Sequence, residues 1–212
     1  MNDDGLRCGC AGATVWFTGL PGSGKTAVAR ALAGTLRARR HRVELLDGDA
    51  RHATLPTGPT RDDPGRHAER TGLAAEVLAR NGFLTLVSAT APGADSRAAV
   101  RRRHEATGTP YVEVHLDAPQ SVCEKRRSAR EAAGPAAGPT AEDAAYEPPA
   151  EPDLRLATHH MSVAESAAAV YALLADKGVV RSRCDETSDR LLLDPDPDPG
   201  PDPHAGQGTW NL

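Results

Sequence analysis

The spacing of apolar positions changes repeatedly along the chain, and each change marks an element. "ATVWFTG" (13–19) is a continuous apolar and β-branched run ending in Gly, the pattern of a strand buried on both faces. From 25 to about 40, Leu, Ala and Val recur at helical spacing, and "RARRHR" closes the run where a helix C-terminus favours positive charge, as a solvated helix end. "VELLDGD" (43–49) predicts a second strand ending in acids, and 66–82 a helix stopped by Asn81-Gly82. "FLTLVSA" (83–89) predicts a third strand. The next helix runs from Asp95, its expected N-cap, to Gly108, with "RRRH" (101–104) as a solvated face. "YVEVHLDA" (111–118) predicts a fourth strand, and Pro119 opens a helix that dissolves into a Gly/Pro/Ala segment. That segment is too long for a simple connector and reads as a lid over about 128–150. "LRLAT" (154–158) predicts a short last strand. The final helix starts at a Ser162-x-x-Glu165 capping box and ends at Gly178.

Strands alternating with helices predict an α/β domain, a parallel sheet with helices on both faces. The expected organisation is an N-terminal segment over 1–11, one domain over 12–179, and an Asp/Pro-rich tail over 180–212 whose composition supports extended chain but no core. The chain has 212 residues, enough for one ordinary core.

Charge and cysteine content then narrow the function classes. A net charge of −4 gives no basic excess for a nucleic-acid backbone, so a polymer partner is not expected. No apolar run reaches the length of a membrane span, and residues 1–12 lack the basic and hydrophobic regions of a signal peptide, so the expected address is the cytoplasm. The four cysteines, Cys8, Cys10, Cys123 and Cys184, form no pair of CxxC units and have no His at metal-ligand spacing; reduced thiols are expected.

The candidate chemistry begins where the first strand ends. Gly19-x-x-x-x-Gly24-Lys25-Thr26 is the phosphate-binding (P-loop) pattern, set after a buried strand and opening a helix. Such glycines let backbone N–H groups curl around phosphate oxygens at a helix N-terminus. The pattern predicts ATP contacts from Gly19, Pro21, Gly22, Ser23, Gly24, Lys25, Thr26 and Ala27. Lys25 bridges the β- and γ-phosphates in this reading, and the Thr26 hydroxyl ligates Mg²⁺. Asp47 and Asp49 end the adjacent strand, where one acid can hold a metal-bound water while the other accepts a hydroxyl proton.

An ordered series of segments extends well beyond the loop. "TVWFTGLPGSGKT", "VELLDGD", "LAAEVLARNG", "VSATAP", "YVEVHLDAPQSVCEKR", "YEPPAEPDL" and "SVAES" together cover about 12–176. This series resembles the adenylylsulfate (APS) kinase family, which phosphorylates the ribose 3′-hydroxyl of APS with MgATP. The resemblance implies a P-loop fold, a homodimer, Lys25 and Thr26 as nucleotide and Mg²⁺ ligands, Asp47 as a metal-side acid, Asp49 as base and Arg126 at the ATP base.

Departures from the family cluster on the acceptor side. The family's Phe-Ser pair is Pro59-Thr60 here, and the Phe of the lid's Gly-Phe-Thr-Gly segment is Pro139. Two aromatic faces that would stack on the adenine of APS are thereby missing, and such stacking contributes roughly 1–3 kcal/mol per base. Phe17 and Phe83, the only phenylalanines, fall in predicted core strands. The family's Asp-Arg pair is Asp63-Pro64, its following Asn is His67, and its Ser-Pro-Tyr-Arg turn is Ala91-Pro92-Gly93-Ala94. The lid lacks the Lys-Gly-Leu-Tyr stretch, and one residue is missing between Asp49 and the Arg51-His52 pair.

Arg51, His52, Arg66, His67, Arg127 and Arg130 remain as polar groups for an anionic acceptor, with Arg127 or Arg130 available to steady the transferring phosphoryl group. The expectation is a MgATP-dependent kinase that phosphorylates a hydroxyl of a small molecule other than APS, such as a nucleoside or nucleotide of secondary metabolism. An authentic APS kinase and a non-catalytic nucleotide-binding protein are the rivals.

Overall fold

The computed structural model describes residues 12–47, 64–89, 91, 93–131 and 146–180. The expected N-terminal segment, the tail beyond residue 180 and most of the expected lid lie outside the described residues, as do Cys8, Cys10 and Cys184. Five strands, β1 (Ala13–Thr18), β2 (Val43–Asp47), β3 (Leu84–Ser88), β4 (Tyr111–Asp117) and β5 (Leu154–Ala157), form one sheet in the order β2-β3-β1-β4-β5. Every pairing is parallel. The apolar run predicted for β1 is explained by its central place, since all six of its residues are buried.

The helices are α1 (Lys25–Ala38), α2 (Pro64–Arg80), α3 (Ala94–Ala106), α4 (Gln120–Glu131) and α5 (Val163–Asp176). Alternate β1 residues face opposite layers. Val15 and Phe17 join Leu32 and Leu36 of α1 and Val170 and Leu174 of α5 in one core cluster. Trp16 joins Leu46, Val87, Ala68 and Ala75 of α2, and Val100 of α3 in the other. The strands share a direction, so the ends Thr18, Asp47 and Ser88 lie along one edge; ligands of open α/β sheets bind outside this carboxyl edge.

Local signals behave as expected at several boundaries. The capping box is complete: Glu165 N donates to Ser162 Oγ at 3.1 Å, and Ser162 N donates back to the Glu165 carboxylate at 2.8 Å. These bonds hold the Glu165 carboxyl below its ordinary value. Four expectations are corrected. Helix α2 begins at Pro64, whose fixed φ suits a first turn. Helix α3 begins at Ala94 with Gly93 as N-cap, and Asp95 falls within the first turn instead of capping it.

The third correction concerns the solvated face expected at 101–104. His104 is fully buried, its ring nitrogens bonded to the Val100 carbonyl at 2.8 Å and to Thr14 Oγ1 at 2.9 Å. Arg101 contacts Glu113 at 3.2 Å and Asp153 at 3.1 Å. Helical spacing puts positions three apart on one face, and that face lies against β4. Phe83 also differs from expectation: it precedes β3, half-buried, with the Arg42 guanidinium 3.8 Å from its ring centroid.

Candidate active site

The phosphate loop is shaped by two backbones pressed against it. After Thr18 the chain turns at Gly19 (φ 148°) and Gly22 (φ 89°), and both positions need glycine for space as well as for φ. A Cβ on Gly19 would lie 2.6 Å from the Leu116 carbonyl oxygen at the end of β4. One on Gly22 would lie 2.5 Å from the Cys123 carbonyl oxygen in α4. Helix α1 follows, with Gly24 as N-cap, no side-chain cap and no acid in its first turn. Its N-terminus thus presents positive dipole without a competing carboxylate, as an anion site requires.

Lys25 is buried, and its ammonium donates to the carbonyls of Gly19 at 2.9 Å and Leu20 at 3.2 Å. The loop's own backbone therefore pre-positions this charge beside the turn that would hold phosphate. The next residue opens a chain of oxygens across the sheet edge. Thr26 Oγ1 lies 2.9 Å from Ser88 Oγ, and the Ser88 hydroxyl donates to Asp47 Oδ1 at 3.4 Å. Asp47 also faces Arg30 at 4.0 Å. Parallel pairing makes this convergence, because Asp47 and Ser88 are register partners on β2 and β3.

An all-oxygen set of a hydroxyl, a serine and one carboxylate suits a hard cation such as Mg²⁺, which keeps several waters and shares phosphate oxygens instead of needing a protein cage. Among the described residues there is no cluster of three or more His, Cys, Asp and Glu that could hold a metal by themselves.

The side of the loop away from Asp47 is tied to α4 and β5. Arg126 donates to the carbonyls of Ser23 at 3.5 Å and Thr158 at 2.8 Å, and the Thr158 hydroxyl donates to the Ser23 carbonyl at 2.9 Å. Arg126 thus stands beside the loop, where the resemblance puts it against the ATP base. Thr18 carries a further contact, its hydroxyl 3.3 Å from the phenol of Tyr146. Cys123 is a buried free thiol, and burial raises its pKa, which disfavours the thiolate.

Gly19, Pro21, Gly22, Ser23, Gly24, Lys25, Thr26, Ala27, Asp47 and Arg126 are therefore gathered at one edge of the sheet. Arg66 is exposed and His67 half-buried in the first turns of α2, and Arg127 is half-buried on α4. Arg130 lies on α4, but its side chain is outside the described set, and Asp49, Arg51 and His52 lie outside the described residues. Ser88, Thr18, Tyr146 and Thr158 were not among the residues expected from sequence. Ser88 had one available signal, its place at the end of a strand, but a lone serine there is uninformative until the strand order is known.

Comparisons with known proteins agree with this geometry. The family model for adenylylsulphate kinase matches residues 11–157. The chain is 38% identical over 175 residues to the adenylyl-sulfate kinase of Halothermothrix orenii, spanning 80% of this chain and 92% of that one. It is 40% identical over 177 residues to the adenylyl-sulfate kinase of a Synechococcus strain, spanning 80% and 98%. The structure of the Mycobacterium tuberculosis APS kinase, solved with AMPPNP and APS, is 37% identical and superposes with a TM-score of 0.65 over 78% of this chain and 98% of that one. With its parallel sheet, phosphate loop and ordered segments all in agreement, the chain belongs to the adenylylsulphate kinase family.

Proposed function

We propose that this protein transfers the γ-phosphate of MgATP to a hydroxyl group of adenylylsulfate. The donor half rests on one observation: Lys25, Thr26, Ser88 and Asp47 converge on a glycine-shaped loop at the carboxyl edge of the sheet. In this reading the loop N–H groups and Lys25 would hold the β- and γ-phosphates, and Thr26 and Asp47 are the residues that would hold Mg²⁺. Bound there, Mg²⁺ would neutralise charge on the phosphate oxygens. Asp49, two residues beyond β2, takes the acceptor's proton, and Arg127 and Arg130 of α4 are the cations available to steady the transferring group. Arg51, His52, Arg66 and His67 complete the acceptor side. The choice of adenylylsulfate is supported by the names of relatives that match almost their full length.

A second reading, a different hydroxyl acceptor such as a nucleotide lacking adenine, is favoured by where the phenylalanines stand. Phe17 is buried toward α1 and α5, and Phe83 precedes β3 at the opposite edge, under Arg42. Neither ring can replace the two stacking faces that Pro59 and Pro139 have displaced. Coupled ADP release with purified protein, run against APS and a panel of nucleosides and nucleotides, separates the readings. Lys25-dependent turnover of APS at micromolar concentration supports the first. APS inert beside an active panel member establishes the second, and no Lys25-dependent turnover at all returns a non-catalytic protein. The family resemblance also implies a homodimer, which sedimentation velocity tests. No described helix is long and apolar enough to cross a membrane.

A further inference from the structure

On α3, one buried arginine gathers three separate parts of the chain. Arg97 lies on α3 and is 3% exposed. Its Nε stands 3.1 Å from Glu113 Oε1 on β4, a charge contact. Nη1 donates to the Ala91 carbonyl, in the turn between β3 and α3, at 2.6 Å, and Nη2 donates to the Glu147 carbonyl. Ala91 has φ 39°, a conformation costly for a residue with a Cβ, so its carbonyl direction needs something to hold it. A planar guanidinium supplies donors in fixed directions, which a flexible ammonium does not.

The 146–147 segment is fastened at further points. The Glu147 carboxylate accepts from the Ala94 N–H at 2.8 Å, which gives α3 an acidic partner at its N-terminus. The Tyr146 ring lies 5.7 Å from the Arg97 guanidinium and 6.1 Å from the His115 ring, and its hydroxyl meets Thr18, the residue before the phosphate loop. Ala91 follows β3 by three residues, and Tyr146 lies in the last part of the segment expected as the lid, its hydroxyl on Thr18 at the end of β1. Both therefore stand at the carboxyl edge, beside the donor site.

We propose that Arg97 is a positioning residue for the acceptor: through the Ala91 and Glu147 carbonyls it sets the two wall segments on either side of the acceptor relative to the phosphate loop, and Glu147 is its partner at the α3 N-terminus. This rests on the phosphotransferase reading. It predicts an asymmetric kinetic signature, since the ATP contacts assigned to Lys25, Thr26 and Arg126 do not run through Arg97.

The test uses the full chain with Arg97→Lys, Glu147→Ala and Glu147→Gln. Arg97→Lys keeps the charge facing Glu113 but cannot serve both carbonyls. Glu147 is exposed, so Glu147→Ala leaves the core intact, and Glu147→Gln retains a side-chain oxygen for Ala94 N–H. For the acceptor identified by the panel, Arg97→Lys and Glu147→Ala should raise KM by about tenfold or more while the ATP KM stays within about twofold, with Glu147→Gln restoring most of the loss. An unchanged acceptor KM, or equal rises in both KM values, overturns the proposal.

Amide hydrogen exchange gives a readout that needs no acceptor. Glu147→Ala should speed exchange at Ala91 and Gly93 as well as at Ala94, and leave residues 19–26 unchanged. Faster exchange at Ala94 alone would show that the two segments are not coupled and overturn the proposal. A wild-type protein inert toward every acceptor would refute the proposed function while this exchange result still decides the coupling.

Discussion

Replacing Glu113 with Gln keeps the shape of the side chain and removes its charge, so it tests the ion cluster beneath α3. Glu113 is 6% exposed and Arg97 3%, so neither charge is well solvated. Glu113 faces Arg97 at 3.1 Å and Arg101 at 3.2 Å, and Arg101 also meets Asp153, which Lys177 contacts at 2.8 Å. Burial opposes ionisation of Asp153, yet the Glu113 N–H, Lys177 and Arg101 outweigh it and hold its carboxyl below the usual range. Arg101 therefore keeps an anion when Glu113 is neutralised. Arg97 keeps its bonds to the Ala91 and Glu147 carbonyls.

Removing one partner of a buried pair costs roughly 3–5 kcal/mol, because the other charge stays buried without compensation. The retained carbonyl bonds put the expectation for Glu113→Gln at the lower end, about 3 kcal/mol, a large share of a domain's total of roughly 5–15 kcal/mol. Urea unfolding should show a lower midpoint with an unchanged slope. A shift of about 6–12 °C in Tm is the thermal counterpart for a domain of this size. Arg97→Met in the Glu113→Gln background should cost less than the sum of the two single changes, since both remove the same ion pair. A loss under about 1 kcal/mol, or strict additivity of the two changes, would refute the reasoning.

Two other predictions follow from the same structure. Gly22→Ala should weaken ATP binding by about tenfold or more and destabilise by roughly 1–2 kcal/mol, because its Cβ meets the Cys123 carbonyl in a left-handed conformation; an unchanged ATP KM would show that the loop is not so confined. Burial lowers the pKa of His104 from its ordinary 6.5, so the unfolded chain takes up the proton first as pH falls. Stability should then decline below about pH 6.5, and His104→Gln should flatten that decline in urea midpoints across the range; an equal slope in the variant would exclude His104 as a source.

Several features were legible because their causes are local. The β1 run is apolar throughout since both its faces are covered, and the P-loop glycines are confined to a few turns of chain, so both the strand and its loop are written in consecutive residues. The Ser162 box is likewise a four-residue device. Asp47 was readable as the acid ending a strand next to such a loop. Acceptor identity was less legible. The relevant residues are scattered over three segments, and the departures at Pro59 and Pro139 pointed away from APS, whereas the whole-length relatives are adenylyl-sulfate kinases.

By itself the sequence determined the α/β alternation, the phosphate loop and the ordered segments of the family, because strand burial, glycine conformation and capping act between near neighbours. Tertiary structure decided what depends on strand order. Insertion of β3 between β2 and β1 makes Ser88 the link from Thr26 to Asp47. Packing of α3 on β4 turns His104 from an expected solvent face into a buried residue and Arg101 into a half-buried ion-pair partner, and joins Arg97 to Glu113 and the 146–147 segment. Those contacts join residues far apart in the chain, and no local pattern carries the pairing that only the assembled sheet supplies.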